Sequence, residues 1–236
     1  MSSDPKVSFV VPCYNEEKNV AATLETIRSA CGNLGLSYEA IVVDDGSRDG
    51  TGAAVERYRS QHPDESVILV KNEINRGLSY NYFKGAEIGR GEYYMAVFGD
   101  HSEPVEALLA ILRKMGQADI VIPYIDHSKR SFARWMISKA FSNLINCIIV
   151  QRVRYFNGPV LHKRADLLGR SGRNAGFGCQ AELLAQLLKD ERTYVEVLIP
   201  FNNRISGGSS AFRFSNFVAV SGSLWRIFKI RWGHPT

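Results

Sequence analysis

The amino-acid sequence predicts an α/β fold with a mostly parallel central sheet flanked by helices. Short apolar segments rich in β-branched and aromatic residues alternate along the chain with segments of helical periodicity. The apolar segments are continuous, which is typical of parallel strands covered on both faces. The chain has 236 residues, of which 45% are hydrophobic and 22% charged, as in ordinary globular domains. We therefore expect a single folded domain spanning residues 1–236.

The first half of the chain, to about residue 123, carries the regular alternation. It opens with a strand at residues 7–11, which Pro12 is expected to end, and a helix at residues 18–30. Strands and helices then follow in turn, and Pro104 is placed in the first turn of the last helix. These elements are a strand at 38–43, a helix at 50–59, a strand at 67–70, a helix at 78–88, a strand at 93–98, a helix at 104–115 and a strand at 120–122.

The second half is less regular and divides into a region at about 124–215 and a last helix within 215–236. Its predicted elements are a long helix at 131–150, a short strand within 154–162, a helix at 177–188, a strand at 195–199, a Gly-Gly-Ser-Ser loop at 207–210 and a helix at 215–230.

Polar side chains follow four of the predicted strands at the points where the strands end. In open parallel sheets, ligands bind beyond the carboxyl ends of the strands. The sequence therefore predicts one site at this edge of the sheet. Its members would be Tyr14, Asn15 and Glu16 after the first strand, Asp44 and Asp45 after the second, Asn75, Arg76 and Gly77 after the third, and Asp100 after the fourth.

Each acidic group at these strand ends has two interpretations. Asp44 and Asp45 would bind a base or ribose, or they would form a turn and cap a helix. Asp100 would hold a divalent cation through its carboxylate, or it would cap the helix that follows. Glu103 and Glu106 suit the first turn of that helix, where the helix dipole favours acids.

The charge of the chain favours anionic partners. The formal net charge is +5 and the isoelectric point is about 9.0, so phosphates, nucleic acid and membrane surfaces all fit. Arginine binds phosphate through a planar fork of donors, and Arg204 precedes the Gly-Gly-Ser-Ser loop, which would close over a ligand. The other basic candidates in the second half are Arg134, Lys139, Arg152, Arg154 and Arg213.

Several function classes are disfavoured because their motifs are missing. The sequence has no G-x-S-x-G elbow, no P-loop and no G-x-G-x-x-G turn, which argues against hydrolases, P-loop NTPases and dinucleotide enzymes. The four cysteines match no zinc pattern and are interpreted as reduced thiols. Without an apolar signal core or an 18-residue apolar run, we expect a cytoplasmic protein with at most peripheral contact at the inner face of the membrane.

The motifs taken together resemble those of the family 2 glycosyltransferases, which have the Rossmann-like GT-A fold. The matching stretches are VSFVVPCYNEEKNV, IVVDDGSRDGT, NRGLSYNYFKGAEIGRGEYY, VFGDHSEP, YFNGPVLHKRADLL, FGCQAELLAQLL and VEVLIPFNNRISGGSS, covering about residues 6–215. RWMISK at residues 134–139 and the R-x-x-G-x-S pattern at Arg204, Gly207 and Ser209 are most similar to the branch that resembles dolichyl-phosphate mannose synthase.

The resemblance implies a nucleotide pocket on the first two strand ends, in the half spanning about residues 1–123. Pro12, Tyr14 and Glu16 would line this pocket. Asp45, with Asp44 beside it, would reach the base or ribose.

It also implies a diphosphate site. Gly99 and Asp100 lie at the last positions of the family's D-x-D motif, where Asp100 would help to hold Mg2+ or Mn2+. Arg204 and Ser209 would close on the diphosphate. Phe98 departs from the pattern, because it replaces the first acid of the motif.

Two further positions depart from the family's pattern. Ser102 stands where a stronger polar ligand often follows the motif, and Ser210 replaces the basic residue that usually ends the late loop. Arg213 would stand in for that base.

The implied activity is that of an inverting hexosyltransferase of cell-envelope or polysaccharide biosynthesis. The donor would be a nucleotide-diphosphate sugar, GDP-mannose or UDP-hexose, and the acceptor polyprenyl phosphate or a glycan intermediate, with no nucleic-acid partner. Arg134 would face an acceptor phosphate, whereas a hydroxyl acceptor would need Glu182 or Asp100 as general base.

Two alternative functions use related sites. A nucleotidyltransferase would carry a Gly-rich basic loop after the first strand, but PCYNEE is acidic. A degenerate nucleotide-sugar-binding module without turnover is compatible with Phe98.

The final helix also has two interpretations. Its interleaved aromatic and basic residues would lie in a membrane interface, or the helix would dock on the core with its cations in water.

Overall fold

The computed structural model describes residues 4–125, 132–156, 158–170, 178–200 and 214–232. The side chains of residues 132–135, 137 and 214–221 lie outside this description. The elements are β1 (Val7–Cys13), α1 (Val20–Leu34), β2 (Tyr38–Asp44), α2 (Thr51–Gln61), β3 (Val67–Lys71), α3 (Leu78–Ile88), β4 (Tyr93–Ala96), α4 (Val105–Leu112), β5 (Ile120–Ile125), α5 (Phe132–Ile149), β6 (Leu161–Lys163), α6 (Cys179–Lys189), β7 (Tyr194–Ile199) and α7 (Phe214–Arg231).

The seven strands form one sheet in the order β3-β2-β1-β4-β6-β5-β7. Strands β1 to β4 are parallel to one another, as are β5 and β7. Of the strands in the described residues, only the three-residue β6 runs antiparallel, between β4 and β5. The predicted mostly parallel α/β fold is therefore confirmed.

Helices cover both faces of the sheet. Phe9 and Val11 of β1 pack with α1, α2 and α4 on one face, while Val10 packs with α3, α5, α6 and α7 on the other. All three side chains are fully buried. This two-sided burial explains why the strands read as continuous apolar runs.

Three predicted boundaries differ from the structure for local reasons. Pro12 lies inside β1, because the β1–β4 ladder already ends at Val10 and Ala96 and the missing N–H interrupts no bond on that side. The fourth strand ends at Ala96, because the Phe98 N–H donates to the Glu103 carboxylate and not to a neighbouring strand. Pro104 is the N-cap residue of α4 and not part of its first turn.

Within the described residues, we find no helix with the length and apolar character needed to cross a bilayer.

Candidate active site at the carboxyl edge of the sheet

The carboxyl ends of four strands lie side by side at one edge of the sheet. Cys13 pairs with Asp44 at the end of the β1–β2 register. The Asp45 N–H donates to the Cys13 carbonyl at 2.8 Å, and the Gly99 N–H donates to the Pro12 carbonyl at 3.3 Å. The main chain itself thus joins the predicted motifs after β1, β2 and β4.

The pKa of the buried Cys13 thiol is affected by acids from several of these strand ends. Burial raises its pKa well above the usual range, and the charges of Glu16, Asp44 and Asp100 raise it further. The charges of three predicted site carboxylates therefore act on one buried sulfur. The thiol stays protonated, so a nucleophilic role for it is not expected.

The loop after β1 is fixed against the loop after β2. Asn15 adopts a left-handed φ of 58°, which asparagine tolerates better than most residues. Its N–H donates to Ser47 Oγ at 3.0 Å, and its Oδ1 accepts from the Arg48 N–H at 2.8 Å. The Glu16 N–H donates to Thr51 Oγ1 at 2.8 Å.

These contacts leave the pocket residues predicted on this loop at its surface. Tyr14 is 44% exposed, and both Pro12 and Glu16 are partly exposed. Glu16 Oε2 accepts from the Asn19 side chain at 2.8 Å. Tyr14 and Glu16 therefore stand at the rim where a ligand would approach.

Asp45 holds the loop after β3. It is only 3% exposed, and its Oδ1 accepts from the Arg76 N–H and from Asn72 Nδ2, both at 2.8 Å. Its Oδ2 accepts from the Gly77 N–H at 2.8 Å. The carboxylate is thus occupied by three donors from the β3–α3 connection, and contact with a base or ribose stays a prediction.

Asp44 makes the turn contact that the sequence also allowed. Its Oδ1 accepts from the Ser47 N–H at 3.1 Å, and the residue is 7% exposed. This bond supports the interpretation that Asp44 forms a turn.

The F-G-D turn after β4 is built by hydrogen bonds from both sides. Thr23 Oγ1 lies 3.3 Å from the carbonyl oxygens of Phe98 and Gly99. Asp100 Oδ1 accepts from the Ser102 N–H at 3.2 Å. The N-cap residue of α4 is Pro104 and not Asp100.

Sequence reasoning missed the part played by Glu103. This residue is 9% exposed, and its Oε2 accepts from the Phe98 N–H at 3.2 Å. Burial and, next, the nearby charge of Asp100 raise the pKa of Glu103 to about 7. The spacing of Glu103 suggested only a solvated first-turn acid, so nothing in the sequence signalled a buried one.

A divalent cation fits this turn only together with a substrate. Among the described residues there is no group of three or more His, Cys, Asp or Glu side chains that could hold a metal ion, and Phe98 supplies no ligand. Mg2+, however, often binds through one or two carboxylates plus substrate phosphates. Asp100, partly exposed at the edge, suits that arrangement.

The predicted acceptor residues are only partly described. Glu182 of α6 makes a two-point ion pair with Arg226 of α7, with Oε1–Nη2 and Oε2–Nε distances of 2.8 and 3.0 Å. This pair joins the two helices. The Arg134 side chain, Arg204 and Ser209 lie outside the described residues, so their predicted roles stay predictions.

A separate small cavity lies on the α3–α6 face of the sheet. Its volume is about 10 Å³, which is about the room one water needs and far too small for a nucleotide sugar. The residues lining it are Tyr82, Val160, His162, Gln180, Leu183, Leu184 and Leu187.

A sequence model described as Glycosyl transferase family 2 matches residues 8–177. The chain belongs to glycosyl transferase family 2. The matched region contains the strand ends after β1, β2, β3 and β4, so it includes the motifs that the fold brings to one edge.

Among its relatives are two bacterial enzymes named undecaprenyl-phosphate 4-deoxy-4-formamido-L-arabinose transferase. Those of Pseudomonas paraeruginosa and Pseudomonas fluorescens are each 30% identical over 148 residues, or 62% of this chain. The match spans 42% and 41% of the lengths of these relatives, so less than half of each is represented.

Solved structures of glucosyl-3-phosphoglycerate synthase from Mycobacterium tuberculosis share the fold of this family 2 member. The complex with Mn2+, uridine diphosphate and phosphoglyceric acid superposes with a TM-score of 0.72 at 16% identity, covering 98% of this chain and 80% of that chain. The complex with phosphoglyceric acid alone gives 0.70 at 15% identity, with coverages of 98% and 81%.

Proposed function

We propose that this family 2 member is an inverting glycosyltransferase that moves a hexose from a nucleotide-diphosphate sugar to polyprenyl phosphate. The observation that carries the proposal is the joining of the strand ends that bear Glu16, Asp44 and Asp100 at one edge of the sheet. Two main-chain hydrogen bonds, donated by the Asp45 N–H and the Gly99 N–H to carbonyls of the first strand, make this connection. The names of the relatives, which are undecaprenyl-phosphate sugar transferases, support the lipid-phosphate acceptor.

The chemistry of this edge suits the departure of a nucleoside diphosphate. Negative charge develops on the β-phosphate as the bond to the sugar breaks, and groups aimed at that charge stabilise the transition state more than the ground state. Asp100 would hold Mg2+ or Mn2+ on the diphosphate, and the cation would supply charge neutralisation there. Arg204 and Ser209 would close over the same phosphates.

The residues predicted on the acceptor side favour a phosphate acceptor over a hydroxyl acceptor. A phosphate is already anionic and needs no base, whereas a hydroxyl needs a general base within reach. Glu182, the predicted base, is paired at two points with Arg226. In this proposal Arg134 positions the acceptor phosphate, residues 1–123 supply the donor side and residues 124–215 supply the acceptor side.

The reaction would take place at the inner face of the membrane, where the nucleotide sugar and the lipid phosphate meet. The donor nucleotide separates two versions of the proposal, UDP-hexose and GDP-mannose. The bound UDP of the M. tuberculosis structure belongs to that protein, and it makes UDP-glucose the first donor to test.

A nucleotide-sugar-binding module without turnover is the competing function, and the loss of the first D-x-D acid at Phe98 favours it. Incubating the purified protein with UDP-glucose or GDP-mannose, undecaprenyl phosphate vesicles and either Mg2+, Mn2+ or EDTA separates the two. We expect turnover with one donor, dependent on the metal.

The variant Asp100→Ala tests the role of the carboxylate. We expect kcat to fall on the order of 10²-fold, while nucleotide affinity without metal changes little. The matched control is Asp64→Asn, an exposed aspartate distant in sequence from the motifs. If the parent protein binds a nucleotide sugar but transfers nothing under any of these conditions, the enzyme proposal fails and the binding module replaces it.

A further inference from the structure

Helix α7 presents a row of aromatic side chains to solvent. Trp225 and Trp232 are each 60% exposed and Phe228 is 39% exposed. Their rings lie in a continuous row: Trp225 stacks on Phe228 with centroids 5.7 Å apart, and Phe228 lies against Trp232 at 5.2 Å with the ring planes tilted by 34°. Ile227 and Ile230, on the other face of the helix, are buried. The helix is therefore docked on the core and still leaves three large aromatic rings in water.

The neighbouring helix α5 also exposes apolar side chains, together with the cation Lys139 and the polar Asn143. Met136 and Leu144 are 51% and 48% exposed, and Val150, directly after the helix, is 71% exposed. Helices α5 and α7 pack against each other. The row of aromatic rings on α7 is contiguous, and a contiguous exposed apolar patch marks an interaction site more often than scattered single residues do.

The charges on the two helices have one sign. Neither the α5 nor the α7 sequence contains an aspartate or glutamate. Lys229 lies over the Trp225 ring at 5.8 Å, and Arg231 lies over the Trp232 ring at 5.4 Å. Cations thus stand directly beside the exposed rings.

The combination of exposed aromatic rings and neighbouring cations favours a lipid bilayer over a second copy of the chain as the partner of this surface. A second copy docked symmetrically would bring the same patch, and so the same cations, against itself. An anionic bilayer instead accepts aromatic rings at the headgroup level and attracts the cations beside them.

We infer that the exposed face formed by Trp225, Phe228, Trp232, Lys229 and Arg231 of the α7 segment, with α5 beside it, docks on the surface of an anionic lipid bilayer. The contact is peripheral, since the described helices do not include one able to span the membrane. The surface would act whether or not the chain transfers sugar, so its test needs no donor or acceptor.

The first test is co-sedimentation of the full chain with vesicles of phosphatidylcholine alone and of phosphatidylcholine with 30% phosphatidylglycerol. We expect binding to the anionic vesicles, weakened by salt. The double variant Lys229→Gln/Arg231→Gln should lower the partition coefficient by about fivefold for each cation removed. The control Arg57→Gln/Arg113→Gln removes two exposed cations, one in α2 and one directly after α4, and should leave binding unchanged.

The aromatic contribution is tested by Trp225→Ser/Trp232→Ser, which should weaken partitioning more than tenfold. The control is Ile74→Ser, because Ile74 is 64% exposed in a loop of the sheet edge. Thermal unfolding of each variant establishes that it is folded.

Intrinsic fluorescence gives a second readout specific to this surface. The three tryptophans of the chain are Trp135, Trp225 and Trp232, so all of them lie in α5 or α7 or directly after α7. Brominated lipids should therefore quench the emission of the parent protein, and the double Trp variant should lose most of that quenching.

Three results would overturn the inference. They are failure to bind anionic vesicles, binding that the α7 variants do not weaken, and a lipid-free dimer that the Trp225→Ser/Trp232→Ser variant dissociates. The last result would assign the face to a second copy. A protein that binds vesicles but transfers no sugar would leave this inference intact and overturn only the proposed function.

Discussion

The Glu103 carboxylate accepts a hydrogen bond from the Phe98 N–H, with 3.2 Å between Oε2 and N. The acid closes the F-G-D turn from its buried side, across five residues of chain. Asp100, the residue proposed to meet the diphosphate, sits on this turn. The turn is therefore supported by a second acid that the solvent hardly reaches.

Stability should fall with rising pH because of Glu103. Its pKa in the folded protein is about 7, above the ordinary 4.5, so folding favours the protonated form. This stabilisation is fully present below about pH 4.5 and is lost as the pH rises through about 7, a change on the order of 3 kcal/mol. Urea unfolding at several pH values, without divalent cations, measures it.

The variant Glu103→Gln should remove that slope between pH 5 and 8. Glu106→Gln is the matched control, because Glu106 is an exposed acid in the first turn of α4. A parent protein and a Glu103→Gln variant with the same pH profile would contradict the assignment.

Replacing Asp45 should loosen the loop after β3. Asparagine at this position keeps the shape of the side chain. Its N–H₂ group, however, would face backbone N–H groups that donate to the Asp45 carboxylate in the parent protein. We expect Asp45→Asn to lower the free energy of unfolding by about 2–3 kcal/mol. Hydrogen exchange of the Arg76 and Gly77 amides should increase in the same variant. Unchanged exchange there would contradict the role of Asp45 in holding the loop after β3.

Gly99 is required by its neighbour Cys13. A Cβ at position 99 would clash with Cys13 Sγ and would lie 3.1 Å from the Pro12 carbonyl oxygen. Gly99→Ala should therefore destabilise the fold by about 1–3 kcal/mol. Removing the sulfur should relieve most of the clash, so thermal unfolding of Gly99→Ala/Cys13→Ala should show a smaller loss than the two single changes predict together.

Glu182 should matter for helix docking and not as a base. Its ion pair with Arg226 is partly buried, with side-chain exposures of 15% and 28%. A double-mutant cycle of Glu182→Gln and Arg226→Gln, followed by chemical unfolding, should give a coupling of about 1–2 kcal/mol. If the proposed function holds, Glu182→Gln should retain most of the kcat with a lipid-phosphate acceptor. A loss of 10²-fold or more at unchanged stability would restore the general-base role.

The sequence was sufficient for the strands and for the edge they share. The apolar runs of β1 and β2 are local signals that can be recognised without any knowledge of their partners, and the Asp-Gly pair after β2 marks where that strand ends. The acids after those strands could be placed together, because parallel strands end on the same side. That reasoning located Glu16, Asp44 and Asp100 correctly at one edge.

What the sequence did not reveal depends on contacts between distant residues. The bonds of Asp45 reach backbone donors 31 and 32 residues away, and a backbone N–H has no residue identity to recognise. The burial of Glu103 depends on how the F-G-D turn folds back over it. The reversed direction of β6 is set by its pairing with β4 and β5, and three residues carry too little pattern to specify it.

The position of β6 has a consequence for any attempt to divide the protein. His162 pairs with Tyr94 on one side and with Ile120 on the other, so a strand from late in the chain separates two strands from its first 125 residues. A fragment that stops at β5 would have β4 and β5 without the strand between them, and β5 would also lack its parallel neighbour β7. We expect such a fragment to expose unpaired strand edges and to aggregate, and we expect the complementary piece, added separately, to restore a native sheet only by reinserting those three residues.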